Sequence, residues 1–279
     1  MRAFPGCPRR AVALLRLGKT LGERSLELRG RRASAHLVRV AFRPCAIVPT
    51  FDNPGTIEAV TDAIRALGLP VIVVDDASGP AARRVLDRLQ DRALVLRRET
   101  NGGKGAAVKT GLEAAHELRF THALQVDADG QHDLAAVAQM LDRARQDPEA
   151  LVLGAPVFDE TAPEHRRAMR KVSIFWVAAA TALEDSPVHD PMCGFRVYPV
   201  AQTVGLLDRC GDRMDFDPEV AVRLVWSGCP VHNVPVRVRY FSEAEGGVSH
   251  FRAVHDNVLI SLLFGRLMML RYLGVWRWL

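Results

Sequence analysis

Short apolar runs alternate with longer segments of helical periodicity from residue 45 to residue 154. Five runs rich in Val, Ile and Leu are expected to be buried strands: CAIVPT, VIVVDD, ALVLRR, HALQVD and LVLG. Between the first two, DNPGTIEAVTDAIRAL aligns four apolar residues on one helical face: Ile57, Val60, Ile64 and Leu67. Asn53 is the expected N-cap of that helix and Pro54 its first residue. The alternation predicts βαβ units, hence an α/β fold with a mainly parallel sheet flanked by helices.

The two ends of the chain depart from this pattern. Residues 1–40 are expected to be a basic, poorly ordered extension, because residues 1–36 hold nine Lys or Arg and two acids. Contact of this arm with an anionic membrane surface is the alternative to a solvated tail. Residues 253–279 are expected to form an apolar helix that lies on a membrane or packs on the core. Three Arg within it disfavour a membrane-spanning helix. The domain between the ends is predicted at 41–252.

Composition and cysteine content indicate the cellular compartment. The chain has 279 residues, 48% of them hydrophobic, and a net charge of +5. Its five cysteines form an odd set without C-x-x-C spacing, which argues against a disulfide framework and against a zinc site. We therefore expect a cytoplasmic protein, peripheral on the inner face of the membrane, with no nucleic-acid partner. The sequence leaves the oligomeric state open.

Four consecutive strands end in polar, turn-forming residues at what would be one edge of a parallel sheet. They are Pro49-Thr50-Phe51-Asp52, Asp75-Asp76, Asn101-Gly102-Gly103-Lys104 and Asp127-Ala128-Asp129. Any one of them alone is more often an ordinary turn. Four on the same edge would line a single polar cleft, so together they predict a binding site.

The glycine-rich segment GGKGAAVKTG matches neither common nucleotide fingerprint. Val108 stands where the dinucleotide motif needs a small residue, and Lys104 is followed by glycine, so the P-loop pattern is absent. The glycines either let the backbone approach a ligand closely or merely shape a turn, and both interpretations stay open.

The carboxylates of Asp127 and Asp129 suit a divalent cation. An EF-hand loop counted from Asp127 would need glycine where His132 stands and glutamate where Ala138 stands, so that class is excluded. Residues two apart in extended backbone point to one side, so both carboxylates can share Mg²⁺ or Mn²⁺. Such an ion completes its shell with water and substrate phosphates, which makes a diphosphate the natural partner. Asp133 is the expected N-cap of the next helix, and His132 is expected at the surface.

Taken together, the motifs IVPTFDN, VIVVDDAS, NGGKGAAVKTGL and LQVDADGQH resemble those of family 2 glycosyltransferases with the GT-A fold. They are most similar to the branch that includes dolichyl-phosphate mannose synthase. DPMCGFRVYP resembles that family's acceptor loop, and MDFDPEVAVRLVWSGCPVHNVPV the segment after it. The C-terminal stretch looks, more loosely, like glycosyltransferases of bacterial aryl-polyene clusters, which favours a lipid-like or polyene acceptor.

The resemblance implies roles for individual residues. Those expected to bind the nucleotide sugar are Pro49, Thr50, Asp52, Asp75, Asp76, Asn101, Lys104 and Asp127. Asp127 and Asp129 would hold the metal, with Gln131 as a third ligand. Residues expected near the acceptor or its phosphate are Arg167, Arg170, Gly194, Arg196 and Ser249. The segment GAPVFDE lacks the basic residue that relatives often carry right after the fifth strand. This absence weakens the expectation that residues of this region contact a phosphate.

A hydroxyl acceptor would need a general base, whereas a lipid phosphate is already an anion and would not. Aligned on FDPEVAVR, Asp217 takes the place of the base, with Asp190 and Asp215 as alternatives; a helix N-cap is the other interpretation of Asp217. The expected protein is an inverting, metal-dependent glycosyltransferase that uses a UDP- or GDP-sugar and a lipid-like or polyene acceptor. The rivals are a sugar-phosphate nucleotidyltransferase and a non-catalytic nucleotide-sugar-binding homologue.

Overall fold

The computed structural model describes residues 41–158, 164–238 and 253–274. The strands in this part of the chain are β1 Pro44–Thr50, β2 Val71–Asp75, β3 Leu94–Arg97, β4 His122–Gln125, β5 Leu151–Phe158, β6 Arg196–Pro199 and β7 Val231–Val238. They form one sheet in the order β3-β2-β1-β4-β6-β5-β7. Strand β6 runs antiparallel to β4 and β5, and the other pairs are parallel. The predicted α/β fold with a mainly parallel sheet is confirmed.

Helices cover both faces of this sheet. They are α1 Ile57–Ala66, α2 Pro80–Arg88, α3 Lys104–Glu117, α4 Val137–Gln146, α5 Glu164–Ala180, α6 Val200–Val204, α7 Phe216–Trp226 and α8 Ala253–Tyr272. Successive side chains of β1 point to opposite faces. Cys45 and Ile47 therefore join a core with α3, α5, α7 and α8, whereas Ala46 and Val48 join a core with α1, α2 and α4.

The start of α1 differs from the prediction. The helix begins at Ile57, and Asn53 uses its side chain to donate to the Phe51 carbonyl rather than to cap the helix. The residues before the helix form a turn that Thr56 ties to the end of β4, since its hydroxyl donates to the Ala128 carbonyl at 2.6 Å. Leu67, predicted on the apolar face, follows the last helical residue and is 49% exposed.

Strands β6 and β7 lie in segments for which no strand is predicted. The four residues of β6 begin with an arginine that is fully buried. Strand β7 alternates buried Val234, Val236 and Val238 with exposed residues and contains Pro235, which is tolerated because β7 is an edge strand.

Helix α8 is apolar on two faces. One face packs into the core through Ile260, Leu263, Phe264 and Leu267, while Val258, Leu262, Met269 and Tyr272 remain exposed. Packing on the core, one of the two predicted arrangements, therefore leaves an apolar outer face. No helix among the described residues has the length and hydropathy needed to cross a membrane. The extension predicted at 1–40 and the residues after 274 lie outside the described ranges.

The contact of α3 with β1 depends on a glycine. A Cβ at Gly111 would collide with Ile47 Cγ2 and lie 3.3 Å from Val74 Cγ2, so the helix can approach the sheet only without a side chain there.

We expect Gly111→Ala to lower the free energy of unfolding by about 1–3 kcal/mol, because the added methyl overpacks this contact. Urea unfolding followed by circular dichroism measures the change. Gly265→Ala in α8 is the matched control: its Cβ would meet nothing within 4 Å, so the variant should be as stable as the wild type or gain up to about 1 kcal/mol in helix propensity. Equal stabilities for the two variants would contradict the packing argument.

Candidate active site

The polar strand ends meet at one edge of the sheet, as their pattern predicts. The Asp52 carboxylate, exposed after β1, accepts from the Gly79 N–H after β2 at 2.8 Å. Asp76 after β2 accepts from the N–H groups of Gly102 and Gly103 after β3, at 3.0 and 2.7 Å. Pro49 and Thr50 are buried at the end of β1, whereas Asn101 is exposed beside the glycines. Hydrogen bonds thus connect the turns that follow the first three strands.

Asp75 and Asp76 hold these turns. Asp75 is fully buried and accepts from the Ser78 N–H and from the Arg97 guanidinium, each over 2.8–2.9 Å. Asp76 is 2% exposed and also accepts from Arg98 Nε at 2.8 Å. The expected nucleotide contact is wrong for Asp75, because its carboxylate is fully buried. Asp76 holds the turn that leads into α3, and its nucleotide contact stays a prediction.

Three distant segments converge on the Lys104 ammonium at the start of α3. Its Nζ lies 2.8 Å from Asp127 Oδ1 after β4 and 3.1 Å from Asp217 Oδ2 in the first turn of α7. Gly194, before β6, closes the cluster: a Cβ there would lie 2.6 Å from both Lys104 Nζ and Asp127 Oδ2. A side chain at this position would have to displace Lys104 or Asp127, so the segment that carries Gly194 lies directly against the ion pairs.

The ion pairs decide the protonation of this cluster. Burial alone would raise the pKa of Asp127, but Lys104 holds it below its ordinary value. Burial would likewise lower the pKa of Lys104, yet Asp127 and Asp217 keep it well above its usual range. Lys104 is therefore a fixed positive charge and Asp127 a carboxylate.

Asp129 occupies a different environment. Burial and the neighbouring Asp127 charge raise its pKa. One oxygen accepts from the Gln131 N–H at 3.0 Å, and the other makes no hydrogen bond within the described part of the chain. Among the described residues no three Asp, Glu, His or Cys side chains are grouped to hold a metal ion.

His132, expected at the surface, is only partly exposed. Its ring stacks on Phe195 with centroids 4.9 Å apart, and its buried Nδ1 has no hydrogen-bond partner among the described residues. Burial lowers its pKa even though Asp127 and Asp129 oppose that shift. Asp133 accepts from the Ala135 N–H and begins the 3₁₀ turn that leads into α4, which confirms its predicted capping role.

Two residues predicted to act on the acceptor or as a base hold the loop that carries Gly194. Arg196 is fully buried and donates to the carbonyls of Pro191, Cys193 and Asp217 over 2.6–3.1 Å. Asp190 is 4% exposed, pairs with Arg170, and accepts from the N–H groups of Met192 and Cys193. A direct role in phosphate binding is therefore wrong for Arg196, which has no exposed surface. Asp190 is as buried as Asp217, and its role as an alternative base stays a prediction.

Some of the remaining predicted residues lie near the cluster, and the others lie outside the described ranges. Asp215 occupies the N-cap position of α7 and accepts from the Arg213 N–H. Asp217 is consequently inside the helix, so its interpretation as an N-cap is wrong. Arg170 is engaged with Asp190. The side chain of Arg167 and all of Ser249 lie outside the described residues, so their roles stay predictions.

The glycines at the start of α3 let another part of the chain approach. A Cβ at Gly103 would lie 2.9 Å from the Asp212 carbonyl, and one at Gly105 would lie 2.8 Å from that carbonyl oxygen. The same carbonyl accepts from the Ala106 N–H at 2.7 Å. The segment before α7 therefore packs on the N-terminus of α3, which places Asp217 beside Lys104.

Sequence reasoning missed two residues of the cluster, Gln125 and Tyr198. Gln125 is fully buried; its Nε2 lies 3.4 Å from Asp217 Oδ1, and its Oε1 accepts from the Tyr198 hydroxyl at 2.9 Å. The available signal was a glutamine inside the apolar strand HALQVD, because a buried amide requires polar partners.

The mainly parallel sheet with carboxylates at its carboxyl edge has the GT-A fold, and the family of the chain makes it a glycosyltransferase. A model of the family described as "Glycosyl transferase family 2" matches residues 45–202. The chain belongs to glycosyl transferase family 2.

Two characterised relatives are similar over most of their lengths. The polyprenol monophosphomannose synthase of Mycolicibacterium smegmatis is 25% identical over 76% of this chain and 82% of its own. The UDP-N-acetylglucosamine–dolichyl-phosphate N-acetylglucosaminyltransferase of Methanococcus voltae is 23% identical over 81% of this chain and 94% of its own.

Two solved structures share the fold. The Pyrobaculum calidifontis mannosyltransferase PcManGT, in complex with GDP-Man and Mn²⁺, has a TM-score of 0.50 and 20% identity over 73% of this chain. S. aureus TarS in complex with UDP-GlcNAc has a TM-score of 0.55 and 15% identity over 81% of this chain. The present chain spans 58% and 66% of those two chains, respectively.

We expect Arg196→Gln to lower the free energy of unfolding by about 3 kcal/mol, because buried carbonyls of the loop and of α7 lose their donors. Differential scanning calorimetry measures the loss. Arg209→Gln changes an exposed arginine in the same way and should stay within about 0.5 kcal/mol of the wild type. An unchanged free energy of unfolding for Arg196→Gln would contradict the structural role assigned to this residue.

Proposed function

We propose that this glycosyltransferase moves a sugar from a UDP- or GDP-sugar to a lipid-like or polyene acceptor that presents a hydroxyl or a polyprenyl phosphate. The observation that carries the proposal is the convergence of Asp127, Asp217 and Gly194 on Lys104. In this proposal, a carboxylate of the nucleotide site, a candidate base and the acceptor loop all adjoin one ammonium. The relatives named for polyprenol and dolichyl phosphate favour an acceptor of that class.

The donor side fits Mg²⁺ or Mn²⁺. Asp127 Oδ1 is buried and lies 2.8 Å from Lys104 Nζ, and it makes no hydrogen bond within the described residues. Asp129 keeps one carboxylate oxygen uncommitted within the described residues, and Gln131 is the proposed third ligand. Hard oxygen donors of this kind suit either ion when substrate phosphates complete the shell. The bound ion would offset the negative charge that develops on the departing nucleoside diphosphate.

Asp217 is the proposed general base for a hydroxyl acceptor. Its carboxylate is 6% exposed and is oriented by Lys104 on one oxygen and by the Gln125 amide near the other. A base held by two partners can take a proton only from a hydroxyl placed within hydrogen-bond reach. A phosphate acceptor needs no base, and Asp217 would then act by holding Lys104. Inversion at the anomeric carbon is proposed from the family resemblance.

A membrane surface is the proposed location of the acceptor. On the outer face of α8, Leu262, Arg266 and Met269 form one stripe, and on α5 Phe175 is 66% exposed. Trp176 of α5 stacks on Phe264 of α8, so the two helices pack against each other. Apolar residues flanking a cationic side chain are typical of a helix at a bilayer interface. We propose that the chain acts on the cytoplasmic side.

A thermal-shift panel tests the donor site. The correct nucleotide sugar with Mn²⁺, at ~100-fold excess over its Kd, should raise Tm by about 5 °C or more. Asp129→Ala should lose the part of this shift that depends on Mn²⁺, whereas Asp142→Ala, which removes an exposed carboxylate of α4, should keep it. The proposal fails if no donor stabilises the chain, or if Asp129→Ala responds like the wild type. Release of nucleoside diphosphate distinguishes a catalyst from a non-catalytic binder.

Liposome flotation tests the membrane surface. Replacing both Leu262 and Met269 with glutamate leaves the buried face of α8 intact and should reduce partitioning onto anionic vesicles about ten-fold or more, because each apolar contact contributes roughly 1.5 kcal/mol. Leu67→Glu, which changes an exposed leucine far in sequence from α8, is the control and should bind the vesicles like the wild type. Undiminished flotation of the double variant would move the contact away from α8.

A further inference from the structure

Lys104 already occupies the carboxylate that a divalent ion would use. Its ammonium lies 2.8 and 3.1 Å from the two oxygens of Asp127, so both face an internal cation. Among the described residues, by contrast, Asp129 has the Gln131 N–H as its one hydrogen-bond partner, on a single oxygen. The two carboxylates of the D-x-D motif are therefore not equivalent: one is neutralised by the protein and one is not.

The ammonium cannot easily withdraw. Its backbone is fixed at the start of α3, where Gly103 donates to Asp76 and Ala106 donates to the Asp212 carbonyl. The Gly194 backbone packs against the ammonium, since a Cβ at this position would lie 2.6 Å from Lys104 Nζ and would have to displace it. Lys104 thus stays beside Asp127 unless the surrounding segments move together.

Asp217 also holds the ammonium in place. Its Oδ2 lies 3.1 Å from Lys104 Nζ, so the lysine keeps a partner when Asp127 turns towards another cation. A divalent ion at Asp127 would consequently bind beside a positive charge that remains. The protein alone offers that ion one free carboxylate and one shared carboxylate, and the described residues provide no group of three ligating side chains.

We propose that Lys104 makes divalent-ion binding conditional on a nucleoside diphosphate. Without the diphosphate, Lys104 and the ion compete for Asp127. The diphosphate brings negative charge and oxygen ligands that can accompany both cations, so the ion and the nucleotide bind together. The inference rests on the proposed metal-dependent function and adds to it the residue that couples the two ligands.

Manganese titration of the full chain tests this coupling, with the electron paramagnetic resonance signal of free Mn²⁺ as the readout. Wild-type protein with Mn²⁺ alone should bind about ten-fold or more weakly than with UDP or GDP present, after subtraction of the Mn²⁺ bound by nucleotide in a protein-free titration. Lys104→Met should bind Mn²⁺ alone about ten-fold or more tightly than the wild type, the scale of changes next to metal ligands. Lys104→Arg keeps the charge and should bind like the wild type.

Lys109→Met is the matched control on the same helix. Lys109 pairs with Asp212 and the Cys210 carbonyl, outside the D-x-D cluster, so this variant should leave Mn²⁺ affinity unchanged. The inference is overturned if Lys104→Met gains no affinity, or if the wild type binds Mn²⁺ alone as tightly as with the diphosphate. The comparison of wild-type Mn²⁺ binding with and without the diphosphate needs no variant. It can therefore refute the inference even if Lys104→Met does not fold.

Asp129→Ala separates this inference from the function on which it rests. Unchanged Mn²⁺ binding in the presence of UDP or GDP would refute the proposed metal site itself. Loss of that binding in Asp129→Ala, together with no gain in Lys104→Met, would refute only the role assigned to Lys104.

Discussion

The ammonium of Lys104 between the carboxylates of Asp127 and Asp217 is the interaction on which the rest of the site depends. Two unit charges about 4 Å apart interact by roughly 4 kcal/mol at an effective dielectric constant of about 20, which is a large part of a domain's net stability. Like-charged groups from the end of β4 and the start of α7 can therefore converge only with a cation between them. The position of Lys104 determines how the nucleotide edge of the sheet meets the acceptor segments.

Most other charged residues at this edge hold backbone in place. Asp76 fixes the turn that leads into α3, while Arg196 and Asp190 fix the loop that presents Gly194. Each of these side chains is buried, and a buried charge must be paired to be tolerated. Their hydrogen bonds to backbone groups offset the free-energy cost of burial and hold the segments around Lys104 in place. Small displacements of these segments would separate the ion pairs.

The same core links this site to the outer face of the molecule. Val220 and Leu224 of α7 belong to one packed cluster with Phe264 and Leu267 of α8. Helix α7 carries Asp217, and α8 carries the exposed apolar stripe. A surface suited to lipid and a candidate catalytic carboxylate are thus attached to the same layer of helices on one face of the sheet.

The alternation of five β-rich apolar runs with amphipathic helices was enough to predict the α/β fold, and because parallel strands share a carboxyl edge, the polar strand ends could be located as well. The apolar pattern did not reveal β6, where a buried arginine interrupts it, or the start of α1, where the residues before Ile57 form a turn. The burial of individual charged residues became apparent from the tertiary structure alone. Asp75 and Arg196 have the residue types of a binding site, but both are fully buried, with long-range contacts to Arg97 and to the Asp217 carbonyl, respectively. Gln125 and Lys104 acquire their positions from those same long-range contacts, which local patterns do not encode.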